Sequence, residues 1–402
     1  MTSTKQVAGA LEGVTVLDLT RVLAGPFSTM MLADMGANII KIEEPQKGDD
    51  TRQFGPYKNG ESCYYINVNR NKRGITLNLK NPEAKEIFKE MVKKADIVME
   101  NYRPGTMEKL GLGYDVLKTI NPGIIYGCVS GFGHYGRYKN RPGYDIIAQA
   151  MSGLMSTTGW PGGAPTRTGT AMGDVLAGLS VTIGVLAALK SRDNTGIGQK
   201  VDVALVDSAV ASMEIINMHY LVDGRVPARI GNRYESTYPY DSFECADGSC
   251  VIGAANDKFW QTLCGLMGRP EIAELPEFIH VKDRIQHHVA VKTEIEKWTR
   301  TLKSEEVVDT CLNAGIPAAP IFDIPQVVAD PHIAKDREMF VEQEHPKAGK
   351  LLLTGSHIKL SETPAEIRTP APALGQDNAE VYKELLGLTE DDLAALKAKN
   401  VL

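Results

Sequence analysis

The stretch VTVLDLTRVLAGPFSTMMLADMGANIIKIE, residues 14–43, decides the fold. Two short apolar runs, VTVLDL and NIIKIE, flank a segment of helical character with Pro26 near its start and Gly36 at its end. Runs of that length bounded by turn residues read as strands, and the segment between them as a helix. The unit is therefore βαβ. Downstream the theme repeats. ITLNLK (75–80) reads as a strand, Asn81 and Pro82 open a helix as cap and first residue, and DIVMEN (96–101) and GIIYGCVS (123–130) read as further strands. Strands alternating with helices predict an α/β fold, a Rossmann-like parallel sheet with helices on both faces.

Composition changes after Gly224. RVPARIGNRYESTYPY is loop-like, SFECADGSCVIGAA is two strand-like runs around Asp247-Gly248, and helical segments continue to about Ala314. The chain of 402 residues is thus expected to hold a large domain beginning over 1–224, a small α+β domain over 225–325, and a return segment, 326–402, that completes the large domain.

Several classes are disfavoured. A net charge of -6 argues against a nucleic-acid partner. The six cysteines form no C-x-x-C pair and the eight histidines show no zinc-ligand spacing, so free thiols in a reducing cytoplasm and no metal are expected. No apolar run reads as long enough to span a membrane, so no membrane partner is expected. The first turn carries only Gly25 rather than G-x-G-x-x-G, which removes support for a dinucleotide.

Ligands of such sheets sit beyond the carboxyl ends of the strands. The basic residues of NRNKRG (69–74), Lys80, Arg103 and Lys109 are either scattered surface charge or a grip on a phosphorylated ligand such as coenzyme A. Asn101 and Tyr102 offer an amide and an aromatic face. In RPGYD, Tyr144 is a candidate pocket wall and Asp145 a helix cap. In TAMGDVLAG (170–178), Asp174 precedes DVLAGLSVTIGVLAAL, a run apolar on every side that reads as a helix buried all round. Asp174 is either a helix cap or, kept anionic at neutral pH by the helix dipole, a nucleophile.

LEGVTVLDLTRVLAGPF, GANIIKIE, NRNKRGITLNLK, MENYRPGTMEKLGL, RPGYD, AMGDVLAG and GQDNAEVYKELLGL cover nearly the whole chain. In order and spacing they resemble the family III CoA-transferases, the group that includes formyl-CoA transferase and carnitine CoA-transferase. The resemblance implies that Asp174 is the nucleophile and that coenzyme A or acyl-CoA is a substrate, with no tightly bound cofactor. It places CoA along Val22, Leu23, Leu77, Lys80, Asn101, Tyr102, Arg103 and Lys109, with Tyr144 near the thioester. It also implies an interlocked homodimer, and CoA transfer without ATP through an aspartyl anhydride and an aspartyl-CoA thioester. The alternatives are a 2-methylacyl-CoA racemase, which would place a His where Tyr144 stands, and a non-catalytic CoA-binding protein.

There are departures from the pattern. Formyl-CoA transferase has Gln at the place of Leu23 and a tetraglycine loop where Tyr234–Gly253 here has no glycine run, which argues against formate or oxalate. The VLAGP turn, DDTR (49–52) and APTRTGTAMGD are most similar to members that use succinyl-CoA with a dicarboxylic partner. A second carboxylate needs a cation, and Arg21, Arg52 and Arg167 are the candidates.

Overall fold

The computed structural model describes residues 9–402. They divide into two compact units. One runs to Leu154 and resumes over Arg167–Met218 and Pro331–Leu402, and the other comprises Met155–Thr166 and His219–Asp330. The second unit spans 225–325 together with residues 155–166, 219–224 and 326–330.

The strands of the first unit are β1 (Thr15–Asp18), β2 (Asn38–Glu43), a small hairpin of β3 (Tyr57–Lys58) and β4 (Glu61–Ser62), then β5 (Lys72–Thr76), β6 (Ile97–Glu100), β7 (Ile125–Ser130) and β8 (Lys200–Ala204). Six of them form one sheet in the order β5-β2-β1-β6-β7-β8, with every neighbouring pair parallel. The chain runs outward from β1 to one edge and then crosses back to β6. That reversal leaves a crevice outside the carboxyl ends of β1 and β6.

The helices between the strands of this sheet are α1 (Ala24–Asp34), α2 (Cys63–Asn69), α3 (Pro82–Val92), α4 (Thr106–Leu110), α5 (Tyr114–Ile120), α6 (Asp145–Met151), α7 (Leu154–Thr157) and α8 (Met172–Thr195), and α9 (Leu205–Ala211) follows the last strand. Alternation along each strand sends Val16, Ile39 and Ile97 into a core with α1 and α8, and Leu17, Ile40 and Val98 into a second core with α3 and α5. Both faces are dry, which is why the strands read as unbroken apolar runs. Each such side chain contributes about 1.5–3 kcal/mol by leaving water.

Three local expectations change. The strand expected over ITLNLK ends at Thr76, because its partner β2 ends at Glu43, and Leu77–Lys80 leave the ladder. Helix α8 is not buried all round: Ala177, Val181 and Val185 are covered while Ile183 is 68% exposed. It is also, by length and composition, long and apolar enough to cross a membrane, contrary to the sequence expectation. Its glycines show how it packs instead: a Cβ on Gly178 would lie 2.8 Å from the Ala24 carbonyl, and one on Gly184 2.5 Å from Val201. The strand at Lys200 is followed by two helices, α9 and α10 (Glu214–Asp223).

In the second unit β9 (Tyr240–Cys245), β10 (Gly248–Gly253) and β11 (Ala318–Pro320) form an antiparallel sheet in the order β11-β10-β9. Gly248 pairs with Cys245, so the two hairpin loop residues are Ala246 and Asp247 rather than Asp247-Gly248. Helices α11 (Asp257–Leu266), α12 (Val281–Gln286), α13 (His288–Thr299), α14 (Ser304–Asn313) and α15 (Ile324–Ala329) follow, several of them around a core containing Trp260 and Phe243. The chain then adds β12 (Phe340–His345), β13 (Gly349–Thr354), α16 (Asn378–Leu386) and α17 (Glu390–Ala398) to the first unit. Tyr382 of α16 donates its hydroxyl to the Thr76 carbonyl at 2.7 Å, closing one face of the sheet at β5.

Under the crevice lie buried charges. Lys41 of β2 meets Asp49 at 2.9 Å, and Lys72 of β5 meets Asp18 of β1 at 3.1 Å. Burial alone would push the Asp49 carboxyl up; the Lys41 ammonium and the bonds from Thr51 overcome it and hold Asp49 at about 2. Lys41 also donates to the Thr20 carbonyl at 2.9 Å, which ties this pair to the turn after β1. Lys41→Met should therefore cost about 3–5 kcal/mol in urea unfolding at pH 7, because it leaves the Asp49 carboxylate buried without a cation. The difference should shrink in acid. A depressed carboxyl stabilises the wild type above its unfolded pKa, and that stability is lost as pH falls toward about 2. A loss below about 1 kcal/mol at pH 7 would show that the pair does not hold the turn.

Candidate active site

Two recesses lie at the carboxyl ends of the strands, both lined entirely by residues of the first unit. The outer, about 330 Å³, includes Lys41, Leu77 and Lys80; the inner, about 160 Å³, includes Leu23, Tyr144 and Asp174. Arg21, Asp50 and Tyr102 line both.

Local chemistry brings the turns together. The Arg21 N–H donates to Asn101 Oδ1 at 2.9 Å, and Asn101 Nδ2 donates back to the Arg21 carbonyl at 2.6 Å. This reciprocal pair ties the turn after β1 to the turn after β6, and the Arg21 guanidinium lies 5.5 Å from the centre of the Tyr102 ring. Val22 has φ 68°, a left-handed conformation that is rare for a β-branched residue. Its N–H donates to Asp49 Oδ1 at 3.2 Å, so the buried pair holds the strained residue. Gly25 is required, since a Cβ there would lie 2.4 Å from that of Thr20. The outcome is that Leu23 and Ala24, at the start of α1, line the inner recess with Asp174. The first N–H groups of α1 have no intrahelical acceptor.

Asp174 is the third residue of α8, half-buried; the helix is capped at Ala171, without a side-chain bond. Burial, and then the negative charge of Asp145, push its carboxyl up to about 7. The expectation of a firmly anionic Asp174 is thus corrected: burial and the like charge of Asp145 both favour its protonated form. Asp145 was expected to cap its own helix. Instead it opens α6 and caps α8, with Oδ1 accepting the Gly173 N–H at 2.8 Å and Oδ2 accepting Gln149 Nε2 at 2.8 Å. The partners come from different segments, so no local pattern announces the contact.

Val22, Leu23, Asn101, Tyr102, Arg103 and Tyr144 line the inner recess with Asp174, and Leu77 and Lys80 the outer. Lys80 carries an exposed ion pair to Glu44 at 3.2 Å. Lys109 is exposed on α4 and lines neither recess, although its neighbours Thr106 and Leu110 line the outer one. Arg52 is engaged by both oxygens of Glu43, by the Tyr65 hydroxyl at 2.7 Å and by the Pro372 carbonyl at 3.2 Å. Arg167 bonds the Thr168 and Thr170 carbonyls of its own exposed loop. Arg21 is the one of the three substrate candidates that lines these recesses.

The pattern of the family described as CoA-transferase family III matches residues 11–378. The chain belongs to that family. It is 41% identical over 379 residues to acetyl-CoA:oxalate CoA-transferase of Acetobacter aceti, with 94% of this chain and 96% of the relative covered. It is 41% identical over 386 residues to succinyl-CoA:mesaconate CoA-transferase of Haloarcula hispanica, again with 94% and 96% covered. To human succinyl-CoA:glutarate CoA-transferase it is 38% identical, with 98% of this chain and 90% of the relative covered. Among solved structures, a CAIB/BAIF family protein from Brucella suis superimposes with a TM-score of 0.83 at 34% identity, covering 94% of this chain and 100% of that one.

The chain is therefore an enzyme of the CoA-transferase class, with CoA thioesters as substrates. Neither the racemase nor the non-catalytic alternative is favoured by these relatives. The relative named for oxalate is as similar as the one named for mesaconate, so the missing glycine run does not set oxalate aside.

The carboxylate pair has a kinetic signature. If ionised Asp174 is the reacting form, kcat/KM should rise with pH and level off above about 7. Asp145→Asn keeps an acceptor for the Gly173 N–H but removes the negative charge, so the midpoint should move to lower pH. An unmoved midpoint in the pH–rate profile would remove Asp145 from the electrostatics of the site.

Proposed function

We propose that this CoA-transferase moves CoA from succinyl-CoA to a short dicarboxylic acid, with Asp174 as the nucleophile. The observation that carries the reading is a half-buried carboxylate, raised to about 7, in one recess with the N-terminal turn of α1. A carboxylate of that basicity is a better nucleophile than an ordinary one, and near neutrality a large fraction of it is ionised.

In the first step an Asp174 oxygen attacks the thioester carbonyl. The C–S bond breaks, CoA leaves as the thiolate, and a mixed anhydride remains on the enzyme. The thiolate then attacks the Asp174 carbonyl of that anhydride, releasing the donor acid as its carboxylate and leaving an aspartyl-CoA thioester. The acceptor carboxylate attacks that thioester and expels the thiolate, which takes the acceptor acyl group from the second anhydride and restores the Asp174 carboxylate. No net proton and no ATP are consumed. The α8 start is a poor oxyanion donor at Gly173, whose N–H is taken by Asp145. The first turn of α1 is the better candidate, since its N–H groups are aligned with the helix dipole.

CoA is assigned to the joined recesses, its phosphates near Lys80, Arg103 and the rim at Lys109, its chain past Leu77 and Tyr102. Relatives named for succinyl-CoA with mesaconate or glutarate support the dicarboxylate, and Arg21 is the cation assigned to its distal end. Two copies of the chain are taken as the working unit. The exposed Ile146, Ile147 and Met151 of one short helix, α6, support that reading, because neighbouring apolar side chains left in water mark a contact.

Incubating the enzyme with succinyl-CoA and a panel of mono- and dicarboxylates, without ATP, should give new acyl-CoA from dicarboxylates. Asp174→Asn should keep its fold and lose more than about a thousandfold in kcat, as deletion of a nucleophile does. Arg21→Met should lower kcat/KM for succinyl-CoA about tenfold more than for butyryl-CoA, a neutral-ended analogue of equal length. Equal losses would assign Arg21 to CoA instead, a wild-type preference for butyryl-CoA would overturn the dicarboxylate, and activity retained in Asp174→Asn would overturn the nucleophile.

A further inference from the structure

Beside the turn after β6 lies a buried polar cluster with no part in the chemistry above. Glu100, the last residue of β6, is 1% exposed. Its Oε2 accepts the Tyr102 backbone N–H at 2.7 Å, and its Oε1 accepts the Tyr126 hydroxyl at 3.1 Å and lies 3.6 Å from His134 Nε2. Lys200 of β8 lies 3.0 Å from His134 Nδ1, and Asp202, also of β8, accepts the His134 backbone N–H at 2.9 Å and 3.1 Å. The remaining neighbours that bear on Glu100 are the Cys128 thiol of β7 and the Glu108 carboxylate of α4.

The donors fix the roles. An ammonium beside Nδ1 makes that nitrogen the acceptor, which leaves the imidazole proton on Nε2, facing Glu100. Burial, then Lys200, hold His134 below its ordinary range, so the ring is neutral. Glu100, Cys128 and His134 offer atoms within 4.8 Å of one another, but Lys200 already supplies the positive charge that a metal would bring there. Tyr102 N–H and Tyr126 O–H thus both donate to one carboxylate, and the His134 Nε2 edge faces it without a hydrogen bond. An ionised carboxylate accepts from both donors and favours the facing ring edge, whereas a protonated one carries a hydrogen of its own among donors. Unlike a solvated carboxylate, this one cannot turn to water to resolve the conflict.

We propose that Glu100 is a positioning residue: it holds Tyr102, and with it Asn101 and Arg103, in the CoA-binding arrangement only while its carboxylate is ionised, so that a proton taken up there weakens CoA binding. The inference rests on the assignment of CoA to these recesses. Burial raises Glu100 to about 7 against the opposing bonds from Tyr102 and Tyr126, which places the change near neutrality.

The test is the dissociation constant of free CoA, which needs no turnover, measured calorimetrically at pH 6, 7 and 8 for wild type and Glu100→Gln. Backbone amide exchange at residues 101–103 is followed alongside. Wild type should bind several-fold more weakly at pH 6 than at pH 8, beyond the change due to the phosphates of CoA. Glu100→Gln should bind weakly throughout, show only the phosphate-derived slope, and exchange the Tyr102 amide faster than wild type at pH 8. Tyr126→Phe removes one donor to the carboxylate, so it should move the wild-type midpoint to higher pH, and it decides the matter if Glu100→Gln does not fold. Wild-type affinity and slope in Glu100→Gln, or an unmoved midpoint in Tyr126→Phe, would overturn the inference. Failure of wild type to bind CoA would instead overturn the functional reading beneath it.

Discussion

The contact between Lys41 and Asp49, made out of reach of water, is the constraint on which the site depends. As a source of stability a buried ion pair is poor, because desolving two charges costs about as much as their attraction returns. Its effect is geometric. Lys41 occupies one oxygen of Asp49, and the other receives Val22 N–H and Thr51. Two apolar residues of the same size would pack there but would leave Val22 unheld in a conformation that costs about 1–3 kcal/mol. Val22 is where the chain turns from β1 into α1. Its orientation decides whether Leu23, Ala24 and the first turn of that helix face Asp174.

A second constraint on the site is electrostatic. Asp145 performs two tasks with one carboxylate: it caps α8 through Gly173, and its charge raises the neighbouring Asp174. Opposed environments have pushed two nearby carboxyl groups of the same unit apart, Asp49 to about 2 and Asp174 to about 7. The first is suited to a fixed structural anion. The second is suited, in the proposed mechanism, to a group that must alternate between carboxylate, anhydride and thioester, since the carboxylate must leave as well as attack.

Much of this was legible in the sequence, for reasons that can be named. A parallel sheet covered on both faces imposes continuous apolar strands, so β1, β2, β6 and β7 stand out as runs, and the rule that ligands gather at carboxyl ends points to the turns at Arg21 and Asn101. Asp174 is visible by contrast with its small apolar neighbours. What stayed hidden is non-local. Arg52 looked free for a substrate because nothing near it in sequence shows Glu43 and Tyr65 closing around it. Asp145 looked like an ordinary cap because the N–H it serves is on another helix. The run from Asp174 to Leu189 read as wholly buried because periodicity reports how apolar a face is, and not what lies against it; the exposed Ile183 is that difference.

The central claim is that the chain itself becomes acylated at Asp174 during transfer. It is tested most directly by mixing the wild-type enzyme with succinyl-CoA, quenching within a turnover, and measuring the intact mass, with hydroxylamine added to trap activated carboxyl groups. The account predicts a covalent increment during turnover and a hydroxamate mapped to the peptide that contains Asp174, neither of which appears without succinyl-CoA. A trapped species on any other residue, or full turnover with Asp174 unmodified under conditions that trap a thioester standard, would contradict it.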